Sequence, residues 1–113
     1  MDSILDSVKK LLGISLDDDS FDADIMININ SAIFTLRELG VLDHPYNVSS
    51  KENTYDEMFE DDTEKISAVK LYFYHKTRLG FDPPSSSAVL ECLKKMVEED
   101  EFRLSVWRKE VSK

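Results

Sequence analysis

Residues 63–97 read TEKISAVKLYFYHKTRLGFDPPSSSAVLECLKKMV. Two apolar-periodic runs stand on either side of a double proline. In the first, Ile66, Val69, Tyr72, Phe73 and Leu79 recur at the spacing of one helical face. Leu71 and Tyr74 fall outside that stripe, so the run is apolar almost all round. That pattern predicts the central helix of a bundle, over 63–79. Gly80 sits where a helix commonly ends, and Pro83 biases Asp82 away from helical backbone. Ser85, Ser86 or Ser87 can cap the next helix, with proline close to its first turn. Val89, Leu90, Leu93, Met96, Val97, Leu104, Trp107 and Val111 share one broad face, which predicts a long final helix over about 86–107. The chain has only three prolines and three glycines. Two of the prolines and one glycine fall between Gly80 and Pro84, so the turn between the two longest helices is rigid. Such a turn sets the angle at which the final helix leaves the core.

Two features of the final run break its pattern. Asp100 falls in the middle of the apolar face, and Phe102 and Val106 fall on the opposite one. The expectation is that the helix bends, ends, or passes from its own core to a partner near residue 100. Glu91–Lys95 and Glu99–Arg103 have the spacing of supporting ion pairs.

Upstream, Ile4, Leu5, Val8, Leu11 and Leu12 predict a helix over 3–12. Asp2 or Ser3 can cap it, Gly13 can end it, and its Asp and Lys residues are assigned to the solvated side. Only Lys9 and Lys10 favour a membrane surface, against Asp2 and Asp6, so this helix is expected to pack on its own domain. The aspartates of 17–24 invite a calcium-loop reading, and the spacing refuses it. Counting from Asp18 puts Ala23 where glycine is needed and Ile29 where glutamate is needed. Counting from Asp17 puts Phe21 at a ligand position. Aspartates ahead of a helix favour its positive N-terminal end instead.

The next helix is predicted over 22–39, ending at Gly40. Ile25, Ile29, Ala32, Ile33, Leu36 and Leu39 form one stripe. Ile27 and Phe34 form a second on nearly the opposite side, so this helix has something to cover on two sides. Residues 46–50 are a short strand or extended chain. Thr54 and Glu57 have the spacing of a capping box and predict a helical turn at 55–59, with Tyr55, Met58 and Phe59 turned inward.

The 113 residues fit one domain, 1–113. The fold class is all-α: a small bundle of about four to five helices with a long C-terminal one. A single cysteine, Cys92, excludes an internal disulfide. No stretch approaches the ~20 apolar residues of a membrane span, and the N-terminus lacks the pattern of a secretory signal. Net charge is −9, which opposes tight binding to duplex DNA through a basic face. We find no nucleophile elbow, phosphate-binding glycine loop, dinucleotide turn or metal-ligand spacing. His75 is therefore expected to be structural, with His44 far away in a loop. No catalytic, cofactor or metal site is assigned, and the chain is not expected to be an enzyme.

KLLGI followed by acidic residues, then DADIMININSAIFTLRELGV, TYDEMF and AVKLYFYHKTRLGFDPPSSSAVLECLKKMVEEDEFRLSV resemble the head-tail connector (head-completion, adaptor) proteins of long-tailed phages and prophages. The likeness extends to about residue 107, and FDPPSSSAVLE with EFRLSV is its most specific part. The resemblance implies an all-α structural virion protein. It implies a ring, dodecameric when assembled, beneath the portal protein. Such a ring extends the DNA channel and offers a platform for the next connector or the tail. It places the protein at the head-tail junction of the virion, and in the host cytoplasm during assembly. Genome DNA would pass through without tight binding, and no membrane is involved. Within that picture the residues expected to meet partners are Phe102, Arg103, Val106, Trp107 and Arg108, with 103–113 as a docking tail, and then Ile27 and Phe34. The rival reading is a small acidic regulator or DNA mimic that binds a protein. A mimic needs two rows of carboxylates at phosphate-like spacing. A connector needs apolar strips that no contact within the chain covers.

Overall fold

In the computed structural model, which describes residues 3–59 and 63–111 (with side chains for all of these but 63 and 107–111), one helix organises the rest. α1 (Ile4–Leu12), α2 (Asp22–Glu38) and α4 (Ser87–Val111) each lie against α3 (Thr63–Phe81). A single 3-10 turn, Tyr55–Glu57, interrupts the long connection between α2 and α3. The described residues contain no strand, only an isolated bridge between Ser3 and Thr54. The all-α expectation holds. Three helices cover α3, which accounts for its main stripe, whereas Leu71 outside that stripe is exposed. Val69, Tyr72 and Phe73 are fully buried at its centre.

α1 begins and ends as its sequence predicts. Ser3 Oγ accepts from the Asp6 amide at 3.2 Å, and Gly13 takes the left-handed conformation at φ +80°. Ile4, Leu5 and Val8 are buried. Lys9 departs from the expectation that it lies on the solvated side, because it too is buried. Its ammonium group donates to the carbonyls of Asp18 at 2.7 Å and Leu16 at 3.4 Å, and meets Asp22 Oδ1 at 2.8 Å. The aspartate-rich segment thus wraps a buried cation, which satisfies carbonyls the loop would otherwise strand. Asp22 and Asp24 occupy the first turn of α2, as expected of acids at a helix start.

α2 buries Ile25, Ile29, Ala32, Ile33 and Leu36, the stripe read from sequence. Gly40, at φ +78°, follows its end. The expectation that Gly80 ends α3 is corrected, since the helix continues through it to Phe81. A Cβ on Gly80 would stand 2.1 Å from Asn28 Oδ1. Glycine is there to let α2 and α3 approach, not to end the helix. The extra residue, Phe81, meets Phe21 edge to face at 5.5 Å. The helix then stops before the prolines.

Residues 46–50 form extended chain, not a strand. Asn30 holds Val48 as a strand neighbour would, donating to its carbonyl at 3.0 Å and accepting from its amide at 2.7 Å. Val48 is buried as a result. At the 3-10 turn the Thr54 amide donates to Glu57 Oε1 at 3.2 Å, the returning arm of the expected box. Tyr55 stacks on Phe73 at 6.1 Å, and Ser7 Oγ lies 2.6 Å from the Tyr55 hydroxyl. These contacts fasten the connection across α1 and α3.

α4 starts where Ser86 caps it. The Leu90 amide donates to the Ser86 carbonyl at 2.9 Å, and the Val89 amide to Ser86 Oγ at 3.4 Å. Its buried line is Leu93, Val97, Asp100 and Leu104. The broad face read from sequence is corrected here. Val89 and Met96 are exposed and Leu90 is half-buried. α4 rests chiefly on α3 alone, and one supporting helix covers a narrower stripe than a full bundle does. Leu93→Ala is expected to cost about 2–3 kcal/mol in chemical denaturation. That is the low end for a buried leucine, because an open flank can relax into the space.

Candidate interaction surface

The seam between α3 and α4 carries the one dense polar cluster of the α3–α4 interface. His75 Nδ1 lies 2.7 Å from Asp100 Oδ2, and both side chains are buried. One turn along, the Tyr72 hydroxyl donates to Glu101 Oε2 at 2.8 Å. Lys76 Nζ approaches the same oxygen at 3.4 Å. Burial pushes the Asp100 carboxyl above its ordinary range, and its hydrogen bond and charge interaction with His75 pull the other way. Burial, and then the Glu101 carboxylate, push the Tyr72 hydroxyl up. This cluster explains the polar residue inside the apolar stripe. Of the three alternatives near residue 100 (a bend, an end or a passage to a partner), an end is excluded, because α4 runs on to Val111. Asp100 faces inward because α3 offers it a histidine. Leu104, 1% exposed, closes the seam beyond it.

The outer surface is where apolar groups lack cover. Phe102 is 68% exposed, Ile27 67%, Phe34 63%, Val89 50% and Met96 45%. Ile27 and Phe34 share the outer face of α2, as their spacing predicts. Phe102 points away from α3, and Arg103 beside it is exposed, 3.5 Å from Glu99. Val106 is half-buried. The side chains of Trp107 and Arg108 lie outside the described ones. Glu91 pairs with Lys94 at 3.6 Å instead of with Lys95. Both partners are exposed, so neither pair contributes much.

Between the C-terminal half of α3 and the start of α4 runs an open groove of about 220 Å³. Tyr74, Arg78, Pro84, Val89, Cys92 and Met96 line it. Arg78 donates to the Tyr74 hydroxyl at 3.3 Å. Its Nε is buried without a hydrogen-bond partner among the described residues.

Neither the seam nor the groove was evident from periodicity. A signal for the seam existed, since an acid inside an apolar stripe requires a donor opposite it. The central helix has His75 on a face that is otherwise apolar. The groove left no such trace, because it follows from how little of α4 the rest of the fold covers.

Among the described residues no group of three or more His, Cys, Asp or Glu could hold a metal ion. No described helix is long and apolar enough to cross a membrane. The arrangement is one of contact surfaces: a rigid seam, with uncovered apolar groups on the helices to either side. Uncovered apolar strips are the feature that separates a connector from a DNA mimic.

No curated protein and no solved structure matches the chain. The family model described as phage connector protein matches residues 4–111. That match spans every helix described above, so the chain belongs to the phage connector protein family, a family of structural components of the virion that meet other head and tail proteins.

Proposed function

We propose that copies of this chain close into a ring beneath the portal protein of a filled capsid, dodecameric when assembled. The ring extends the DNA channel and gives the next connector or the tail a platform. The observation that carries this reading is the set of exposed apolar side chains on two separate helices, Ile27 and Phe34 on α2 and Phe102 on α4. A protomer of such a ring meets copies of itself and also the portal, so it needs separate sticky surfaces, and uncovered apolar groups on two helices supply them. Net charge −9 suits a body through which DNA slides without being held.

In this reading residues 102–113 dock on the portal. Trp107, Arg103 and Arg108 are of residue types that concentrate binding energy, and Phe102 lies exposed beside them in sequence. Arg103, Arg108, Lys109 and Lys113 give this end of an acidic chain a local basic character, so the contact weakens with salt. The test is a chain stopped after Ser105. It keeps Leu104 and the whole seam, so it is expected to retain its helical circular dichroism. Binding to portal-bearing capsids in a sedimentation assay is expected to fall at least tenfold. Unchanged binding by the folded truncation would move the docking surface off residues 106–113. A cut after Asp100 does not separate the two roles, because it also removes Leu104 from the core and Glu101 from the seam.

A further inference from the structure

We propose that the outer strip of α2 from one copy seats in the α3–α4 groove of the next. Asp24, Ile27, Ser31, Phe34 and Glu38 fall on one face of α2, and all five are exposed. The strip is therefore apolar in the middle with a carboxylate near each end. Asp24 and Glu38 are separated by about 21 Å along the helix axis.

The groove answers it in shape and in sign. Its floor is apolar, with Val89, Cys92 and Met96 along α4. Arg78 lines it from α3, donating to the Tyr74 hydroxyl at 3.3 Å, with its buried Nε unpartnered among the described residues. Past Met96 on the same flank of α4 comes Arg103, in an exposed contact with Glu99 at 3.5 Å. A ridge that carries two acids thus meets a trough with one guanidinium group in its wall and another beyond it on the same flank of α4. Strip and groove are different surfaces of one chain, so the contact is head to tail and leaves a free groove on one copy and a free strip on the other. The contact is small beside the roughly 800 Å² per partner of a standard interface. The single contact is accordingly weak, and many of them together hold an assembly.

This inference deepens the ring reading by naming the joint, but its test needs only copies of this chain. Cys92 is the sole cysteine, exposed on the groove floor, and serves as a reporter. The full chain carrying Ile27→Cys is treated with a short bismaleimide at roughly millimolar protein, a range suited to weak contacts. It is expected to give a ladder of dimers, trimers and higher species. The unaltered chain and the Ile27→Cys/Cys92→Ser chain are expected to stay monomeric. Reversing both strip acids (Asp24→Lys with Glu38→Lys) in the Ile27→Cys chain is expected to cut the ladder at least fivefold. These positions are exposed, so the variants should fold, which circular dichroism checks. No ladder from Ile27→Cys overturns the joint. So do efficient dimers of the unaltered chain through Cys92 alone, which would mean two grooves face each other. A ladder indifferent to the charge reversal overturns it as well. A lost ladder leaves capsid binding by the full chain untouched. Lost capsid binding with an intact ladder removes the portal reading and keeps the joint.

Discussion

Replacing Phe73 by alanine is expected to remove about 3–5 kcal/mol of folding stability, the range for a fully buried aromatic. The ring is 0% exposed. It stacks on Tyr55 at 6.1 Å and lies 6.3 Å from Tyr72. It therefore joins α3 to the long connection between α2 and α3, and its loss opens a cavity bordered by rigid elements. Domains of this size hold about 5–15 kcal/mol in total, so the variant loses between about a fifth and all of that margin. Thermal unfolding should move down by on the order of 10–20 °C. A shift under about 3 °C would mean that the connection, not α3, carries the core. The contrast with Leu93→Ala is informative. Both are buried apolar residues on helices, but Leu93 lies on an open flank, where the smaller expected cost is collapse around the gap.

The helices were legible in the sequence because their signals were local. Stripes at helical spacing located all four, and Ser3, Gly13, Gly40, Ser86 and the Thr54–Glu57 pair marked ends that the structure keeps. What misled was residue identity read without its neighbours. Gly80 has the identity of a stop signal. Its role is set by Asn28 on another helix, which no local pattern reveals. Lys9 has the identity of a surface residue. Its role is set by carbonyls of a loop that begins several residues later. Val89 and Met96 have the identity of core residues, and their exposure depends on how many helices support α4. The exposed pair Ile27 and Phe34 was visible because it opposes a second, stronger stripe on the same helix. The groove was invisible because its two walls are built from helices separated by the double proline.

His75→Leu is expected to destabilise the protein by about 3–5 kcal/mol at neutral pH, while His75→Leu combined with Asp100→Leu is expected to be as stable as the natural chain or up to ~4 kcal/mol more so. The single change strands a buried carboxylate that has lost its partner at 2.7 Å. The double change replaces both polar groups with apolar ones and strands nothing. Asp100→Leu alone falls between, at about 1–3 kcal/mol, because a histidine nitrogen loses its acceptor. The cycle therefore yields a coupling well above the few tenths expected of independent sites. Additive effects would mean that the two side chains do not interact. pH supplies a second check with a defined sign. Burial raises the Asp100 carboxyl above its ordinary value of 3.8. The folded state thus binds this proton more tightly than the unfolded chain does. The resulting stability is fully present below the unfolded value and is lost as pH rises through the raised folded value. Without His75 the desolvation is unopposed, so the penalty of His75→Leu should shrink as pH falls towards the ordinary carboxylate range, and Asp100→Asn should remove that dependence. A stable double variant makes the seam a matter of geometry more than of energy. An apolar stripe lets α4 slide by a turn against α3, whereas a histidine facing one particular aspartate does not. In a protein whose groove is formed by those two helices, one register of α4 is what keeps Val89, Cys92 and Met96 opposite Tyr74 and Arg78.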